Sequence, residues 1–388
     1  MDRVISLSLG ELMLKGKNRK YFEDQLIRNI KRALRNSSEY RIYKEQGKIY
    51  IEGFENKEDA IIPKLEKIFG IIYISKCIRT STSIEDIREA SLIAVKEKLQ
   101  GKKVLTFKVE ATRANKNYPL KSTEICPDVG EYILEHVENL SVDVHNPEIF
   151  VYIDIKKHAY IYIDRTKAYG GFPIGTNGKG LLLLSGGIDS PVAGFLMAKR
   201  GVEIAGLHFH SYPFTSERAE QKMLDLASIL SIYTGPIKIY SVNLLKIQKE
   251  INQKCAEDEM TIISRRFMMR IAERLSEENN YNALITGENL GQVASQTIGS
   301  INVINRVVNM PILRPLIGMD KQDIIEWAKD IETFETSIIP FEDCCSVFLP
   351  KHPLTRPKVE DIEKSESNLE IGALVEEALE NIKVHYIK

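Results

Sequence analysis

The sequence predicts a multidomain chain in which two small α+β units precede an open, parallel α/β sheet. Three observations carry this. The chain has 388 residues, more than one domain of about 100–200 residues holds. Short strands and helices joined by tight turns run to residue 165, and a strand–helix–strand–helix rhythm follows from 181, the order of a parallel sheet. Between them, five of the sixteen residues 165–180 are glycine, which reads as a linker or exposed loop.

Composition removes other classes. Hydrophobic residues are 43% and charged residues 28%, average for folded globular chains, so disorder, collagen-like repeats and disulfide mini-scaffolds are excluded. No run approaches the ~20 apolar residues of a membrane span. The start, Met1-Asp2-Arg3-Val4-Ile5-Ser6, enters a strand pattern and lacks the apolar run of a signal peptide. Five cysteines, two of them adjacent (Cys344, Cys345), suit a reducing cytoplasm that keeps thiols for chemistry. The net charge of −1 hides an asymmetry: residues 1–170 carry 30 Lys+Arg against 25 Asp+Glu, and the remainder 23 against 29. A basic front suits a polyanion contact, or the excess is ordinary solvated surface.

The elements follow from periodicity. Residues 4–9 alternate as a strand, and 21–34 carry Phe22, Leu26, Ile27, Ile30 and Leu34 at helical spacing. Strands 40–43 and 48–51 meet through Gln46-Gly47, a tight-turn signal. Helix 59–68 and strand 70–74 complete a split βαβ, ferredoxin-like order. A compact α+β unit follows, with helices 84–99 and 122–140 and strands 104–109, 141–144, 149–155 and 159–163. Beyond 180, the four-leucine run 181–184 reads as a strand buried on both faces. Strands 202–209, 237–242 and 282–286 and helices 191–200, 217–233, 261–279 and 321–329 continue the pattern.

Chemistry concentrates after the leucine run, in Ser185-Gly186-Gly187-Ile188-Asp189-Ser190 followed by Pro191. A strand end, a glycine turn and a helix start present backbone N–H groups and a positive dipole to an anion. Pro191 suits the first helical position, and Ser185 and Ser190 add hydroxyls. Asp189 repels phosphate unless a cation intervenes, so it is a Mg²⁺ partner or an orienter of the loop. The Gly-Lys-Ser/Thr ending of a Walker loop is missing. His208 and Phe209 end the second strand, on the edge where such sheets bind ligands; backbone groups there and at Leu183 and Leu184 suit an adenine, while the His208 and His210 side chains read as packing or surface. Arg265 heads a long helix as a phosphate fork or as part of a solvated face. Gly287 follows the fourth strand, and the segment 291–297, including Gln296, starts a polar helix suited to a nucleotide or serving as a cap. Cys344 and Cys345 are either small buried hydrophobes or a thiol pair that handles sulfur; Glu342 and Asp343 beside them would raise a thiol pKa. Cys77, Cys126 and Cys255 read as structural. Lys15, Lys17, Arg19 and Lys20 form a basic loop, and Arg113, Lys116 and Lys121 surround Tyr118, a mix suited to RNA phosphates and bases or to plain solvent.

The glycine loop resembles the pyrophosphate loop of the N-type ATP pyrophosphatases, which adenylate a substrate oxygen and release pyrophosphate. The whole chain resembles the ThiI-type tRNA sulfurtransferases, the 4-thiouridine synthases. The resemblance rests on the opening stretch 10–19, on a THUMP-like segment 107–116 with Tyr118-Pro119-Leu120, on residues 185–193, 286–297 and Arg314-Pro315-Leu316, and on the cysteine loop 340–345. It implies a ferredoxin-like domain over 1–75, a THUMP RNA-binding domain over 76–165, a linker over 166–180 and a pyrophosphatase (PP-loop) domain over 181–388. It further implies ATP and Mg²⁺ as cofactors, and adenylation of O4 of uridine 8 in tRNA followed by displacement of AMP by persulfide sulfur. Leu183, Leu184, His208, Phe209, Arg265, Gly287 and Gln296 are then ATP contacts alongside 185–190, and Cys345 the sulfur residue. Only 43 residues follow Cys345, too few for the rhodanese-like domain of some relatives, so sulfur is expected from a cysteine desulfurase or another persulfide or sulfide donor. His210 stands where some relatives have a resolving cysteine. A homodimer and a contribution to thiamine biosynthesis are family-level expectations. The competing expectations are another adenylating RNA-modifying enzyme, of the 2-thiouridylase or lysidine synthetase type, and an RNA-binding protein that uses ATP only as a switch.

Overall fold

A computed structural model describes residues 1–37, 39–54, 57–99, 106–114, 116–341, 344, 347–348 and 350–388. They form two compact units, Met1–Pro173 and Ile174–Lys388.

The first unit runs β1 (Asp2–Leu9), α1 (Arg19–Ala33), β2 (Arg41–Glu45), β3 (Lys48–Glu52), α2 (Glu58–Glu66), β4 (Ile71–Thr80), α3 (Ile84–Leu99), β5 (Thr106–Arg113), α4 (Ser122–His136), β6 (Ser141–Val142), β7 (Ile149–Ile155), β8 (Ala159–Tyr162) and β9 (Thr166–Lys167). The first six elements follow the split βαβ order. Gln46 and Gly47 both take positive φ, the geometry a two-residue hairpin turn requires. The two modules read from the sequence share one sheet, in the order β2-β3-β1-β4-β8-β7-β5-β6, with β9 beside β4. The period of two sorts its faces. Ile5, Leu7, Ile49 and Ile51 pack with Phe22, Leu26 and Ile30 of α1, and Phe107, Val109, Val151 and Ile161 pack with residues of α3 and α4. The opposite face carries Tyr43, Tyr50, Tyr152, Tyr160 and Tyr162 around Val4 and Cys77.

The expected linker is built into the fold. Thr166 and Lys167 pair with Ile74 and Tyr73, and Ala168 and Phe172 are buried in the first unit's core. Gly170, Gly171, Gly175 and Gly178 have positive φ. They let the chain turn tightly while the apolar residues between them go inward.

The second unit runs β10 (Lys179–Leu183), α5 (Asp189–Lys199), β11 (Glu203–His210), α6 (Glu217–Thr234), β12 (Ile237–Asn243), α7 (Leu245–Lys254), α8 (Met260–Asn279), β13 (Ala283–Ile285), α9 (Ile298–Asn305), β14 (Ile312–Leu313), α10 (Lys321–Asp330), α11 (Phe334–Ser337), α12 (Val359–Glu366), α13 (Ile371–Glu380) and β15 (Lys383–Ile387). Its sheet has the order β14-β13-β10-β11-β12-β15, parallel except for β15, which runs antiparallel to β12. Leu181, Leu182 and Leu184 are buried, as a strand covered on both faces demands. Strand order reverses at β10, which lies between β11 and β13. That reversal opens a crevice at the carboxyl ends of the strands.

Several elements depart from expectation. Pro191 is the third residue of α5 rather than the first, still inside the turn where a missing N–H costs nothing. The helix expected from 122 to 140 stops at His136. The polar segment 291–297 makes only a single 3₁₀ turn, Ala294–Gln296. The α-helix starts after Thr297, whose hydroxyl accepts the Ser300 N–H at 3.1 Å. Helices α7, α9, α11, α12 and α13 and strands β14 and β15 were not legible.

Candidate active site

The crevice at β10 holds a cavity of about 350 Å³. Leu183, Leu184, Ser185, Gly186, Gly187, Asp189, Ser190, His208, Phe209, Arg265, Gly287 and Gln296 all line it, together with Cys344. Every residue assigned to the nucleotide on sequence grounds therefore reaches one space. Cys345, Glu342 and Asp343 lie outside the described residues.

The loop is held by its own serines. Ser190 Oγ accepts the Ser185 N–H at 3.0 Å and donates to the Ser185 carbonyl at 3.2 Å. Ser185 Oγ accepts the Gly187 N–H at 3.3 Å. Gly287 lets the loop after β13 press on this turn, because a Cβ there would stand 2.8 Å from the Ser190 nitrogen. Asp189 accepts from Lys321 Nζ at 2.5 Å and from Gln292 Nε2 at 2.9 Å. These two contacts tie the start of α5 to Lys321 of α10 and to the loop after β13.

The walls are equally specific. His208 Nδ1 donates to the Leu184 carbonyl at 3.0 Å, since a carbonyl can only accept. Burial, with His208 beside it, holds the His210 imidazole below its usual pKa. Arg265 and Arg314 both bind the buried Glu288, at 2.9 and 2.6 Å, so Glu288 fixes the Arg265 guanidinium on the cavity wall. Among the described residues no donor meets the buried Gln296 Oε1.

Sequence reasoning missed Lys321 and Lys222. Lys222 is 8% exposed and lines the cavity. Its methylenes run along Gly186, and its Nζ donates to the Ser337 and Ile339 carbonyls at 2.8 and 2.7 Å. The one available signal was a lysine on the apolar stripe of α6.

The residues present do not fit a protein-held Mg²⁺. Three described carboxylates line the cavity. Asp189 is engaged by Lys321 and Gln292, Glu288 by two arginines, and Glu220 by Lys383 and His385. No metal-holding cluster of His, Cys, Asp and Glu occurs among the described residues.

Cys344 is 6% exposed and belongs to the second unit's core while touching the cavity. Of the other described cysteines, burial pushes the Cys77 thiol up to about 12 and raises those of Cys126 and Cys255.

In the first unit, Lys17, Lys20, Lys116 and Lys121 are exposed, whereas Lys15, Arg19 and Arg113 are engaged internally. Lys15 Nζ stands 4.3 Å from the Phe172 ring, Arg19 pairs with Glu23 at 2.5 Å, and Arg113 donates to the Tyr118 and Leu120 carbonyls. Tyr118 donates to the Thr82 carbonyl at 2.7 Å. A second basic–aromatic cluster lies on the tyrosine face of the sheet. Arg165 sits 3.6 Å from the Tyr152 ring, and Lys48, Lys156 and Arg79 lie over Tyr162, Tyr50 and Tyr43. Lys48, Lys156 and Arg165 line a shallow cavity of about 350 Å³ with Thr112, Asp154 and Tyr162. The aromatic alternation Phe150-x-Tyr152 and Tyr160-x-Tyr162 could have revealed this face.

An anion-binding glycine turn at the switch point of a parallel sheet, in a chain that opens with a ferredoxin-like module, defines a PP-loop protein with an added N-terminal unit. Comparison with known proteins makes this specific. Residues 175–371 match the family described as thiamine biosynthesis protein (ThiI), 4–75 the ThiI ferredoxin-like domain and 81–164 the THUMP domain. A probable tRNA sulfurtransferase of Finegoldia magna is 53% identical over the full length of both chains, and one of Alkaliphilus metalliredigens is 51% identical over 100% of this chain and 99% of its own. The crystal structure of a 4-thiouridine synthetase–RNA complex with bound ATP superposes with a TM-score of 0.92 at 43% identity, covering 100% of both chains. A Pyrococcus horikoshii protein matches with a TM-score of 0.68 at 27% identity, over 85% of this chain and 99% of its own. The chain belongs to the ThiI family of tRNA sulfurtransferases.

Proposed function

We propose that this chain converts uridine 8 of tRNA to 4-thiouridine by adenylation followed by sulfur transfer. In the first step uracil O4 attacks the α-phosphorus of ATP, the bond to the β-phosphate oxygen breaks, and pyrophosphate leaves. The turn 185–190 receives the departing phosphates through its N–H groups and the N-terminus of α5. Gln296 and the backbone at Leu184 and His208 serve the nucleoside. In the second step the terminal sulfur of a persulfide attacks C4, and the C4–O bond breaks to release AMP. A second thiol then cleaves the S–S bond, leaving the thiocarbonyl and a disulfide. Cys345 and Cys344 supply these thiols, and a separate persulfide donor passes its terminal sulfur to one of them by persulfide exchange, releasing the donor's thiol; free sulfide bypasses the thiols by attacking C4 directly. Mg²⁺ accompanies ATP as counter-ion to the triphosphate. The cytoplasm is the expected compartment; no helix among the described residues is long and apolar enough to cross a membrane.

RNA contact falls to the first unit, on exposed Arg165 of the cation–tyrosine face, flanked by exposed Lys17, Lys116 and Lys121. Stacked cations and rings suit phosphates and unpaired bases together.

The observation that carries the reading is the convergence of the glycine turn, Arg265, Gln296 and Cys344 on one cavity. Incubation with ATP, Mg²⁺, tRNA and sulfide should yield AMP and a 4-thiouridine absorbance band. Formation of ADP instead would refute adenylation.

A further inference from the structure

We propose that Gln248 is a positioning residue for the sulfur step, holding the Cys344 segment against the end of β11. This rests on the reading above and extends it to a residue outside the cavity. Gln248 is 2% exposed and sits on the apolar face of α7, near Ile247 and Ile251. Helical periodicity calls for an apolar side chain there.

Both ends of its amide are used. Nε2 donates to the Cys344 carbonyl at 2.9 Å, and Oε1 accepts from Ser211 Oγ at 2.6 Å. The orientation is fixed by chemistry, because the carbonyl can only accept. Ser211 is fully buried and directly follows His210. Its N–H donates to Thr215 Oγ1 at 3.0 Å, and both His210 and Thr215 line the cavity. Gln248 thus ties the cavity wall to the main chain at Cys344. Upstream, Lys222 grips the Ser337 and Ile339 carbonyls. The stretch that leads to the thiols is therefore held on both sides of Phe341, itself a cavity residue. Gln248 does not line the cavity, so its loss leaves nucleotide contacts in place while the thiol segment loses its tether.

The test compares three rates in Gln248→Met, which keeps the volume and removes both hydrogen bonds. These are pyrophosphate release in a single turnover, thiolation driven by free sulfide, and thiolation driven by a persulfide donor. Pyrophosphate release and sulfide-driven thiolation should stay within about twofold of wild type, while persulfide-driven thiolation falls by at least about tenfold, since misplacing a reacting group costs rate steeply. A parallel fall in all three rates, or full retention of the third, overturns the proposal. Should Gln248→Met fail to fold, Ser211→Ala keeps the Cys344 contact and carries the same comparison, with a selective loss of about threefold expected and equal rates overturning the idea. A wild-type chain that releases no pyrophosphate would instead sink adenylation, and this inference with it.

Discussion

A carboxylate inside an anion-binding turn repels phosphate unless something offsets it, and at Asp189 the offset is Lys321, 2.5 Å away. The pair also draws Gln292 onto the loop, so one side chain orders three chain segments. Asp189→Ala should lower AMP formation by about 10²-fold, the scale of losing a preorganised electrostatic contact, with tRNA affinity unchanged in a filter-binding assay. Normal turnover would remove Asp189 from the loop's function. Gly287 sets a second residue-scale limit. An added methyl group would stand 2.8 Å from the Ser190 nitrogen and 2.9 Å from the Asp189 carbonyl carbon. Both are backbone atoms that cannot swing aside. Gly287→Ala should therefore cost about 1–3 kcal/mol, as overpacking does, and weaken ATP binding at least about tenfold through the displaced turn. Urea titration and calorimetric ATP titration read the two effects, and wild-type ATP affinity would show that the turn tolerates the push.

At the scale of elements, α12 is anchored on α8 by charge. Arg266 and Glu366 are each 2% exposed and pair through two bonds of 2.9 and 2.8 Å, while Arg270 binds the same carboxylate twice at 2.8 Å. Burial raises the Glu366 pKa, but the two guanidiniums outweigh it and hold the carboxyl below its usual value of 4.5. A depressed carboxylate contributes stability that is fully present above its unfolded pKa and is lost as pH falls through the folded one. Glu366→Ala should cost about 3–5 kcal/mol at neutral pH, because it strands the buried Arg266. It should also flatten the decline in stability below about pH 4.5, and denaturant midpoints across that range decide it. The anchor also explains what sequence could and could not reveal. The leucine strand, the glycine turn and α8 were legible because their periodicity and composition are local. Helix α12 was not: it has eight residues, of which Ile362 and Glu366 are buried, and its docking depends on charges about a hundred positions away. The cation–tyrosine face was not legible for the same reason. Arg113 and Tyr118 look like an RNA motif in sequence, yet both are spent on loop carbonyls, and Arg165 meets Tyr152 only once β7 and β8 pair.

Across the whole molecule, the proposed function divides chemistry and recognition between the two units. The residues lining the cavity at the glycine turn all fall in Ile174–Lys388, and the cation–tyrosine face falls in Met1–Pro173. The charge count follows this division: residues 1–170 carry an excess of five positive charges and the remainder an excess of six negative ones. A polyanion such as tRNA is attracted to the first unit and repelled by much of the second, so loss of a cation on the tyrosine face should act on binding and leave chemistry untouched. Arg165 is the sharpest probe, being exposed and stacked on Tyr152. Arg165→Ala should weaken tRNA binding about tenfold and reduce the slope of log affinity against log salt by roughly 0.7–0.9, the value of one phosphate contact. At saturating tRNA its thiolation rate should equal wild type, so KM rises and kcat holds. Lys15→Ala should behave differently, because Lys15 packs on Phe22 and Phe172 and its loss acts on stability first. If Arg165→Ala left both affinity and salt slope unchanged, tRNA would have to meet this protein elsewhere, and the exposed lysines at 17, 20, 116 and 121 would be next to test.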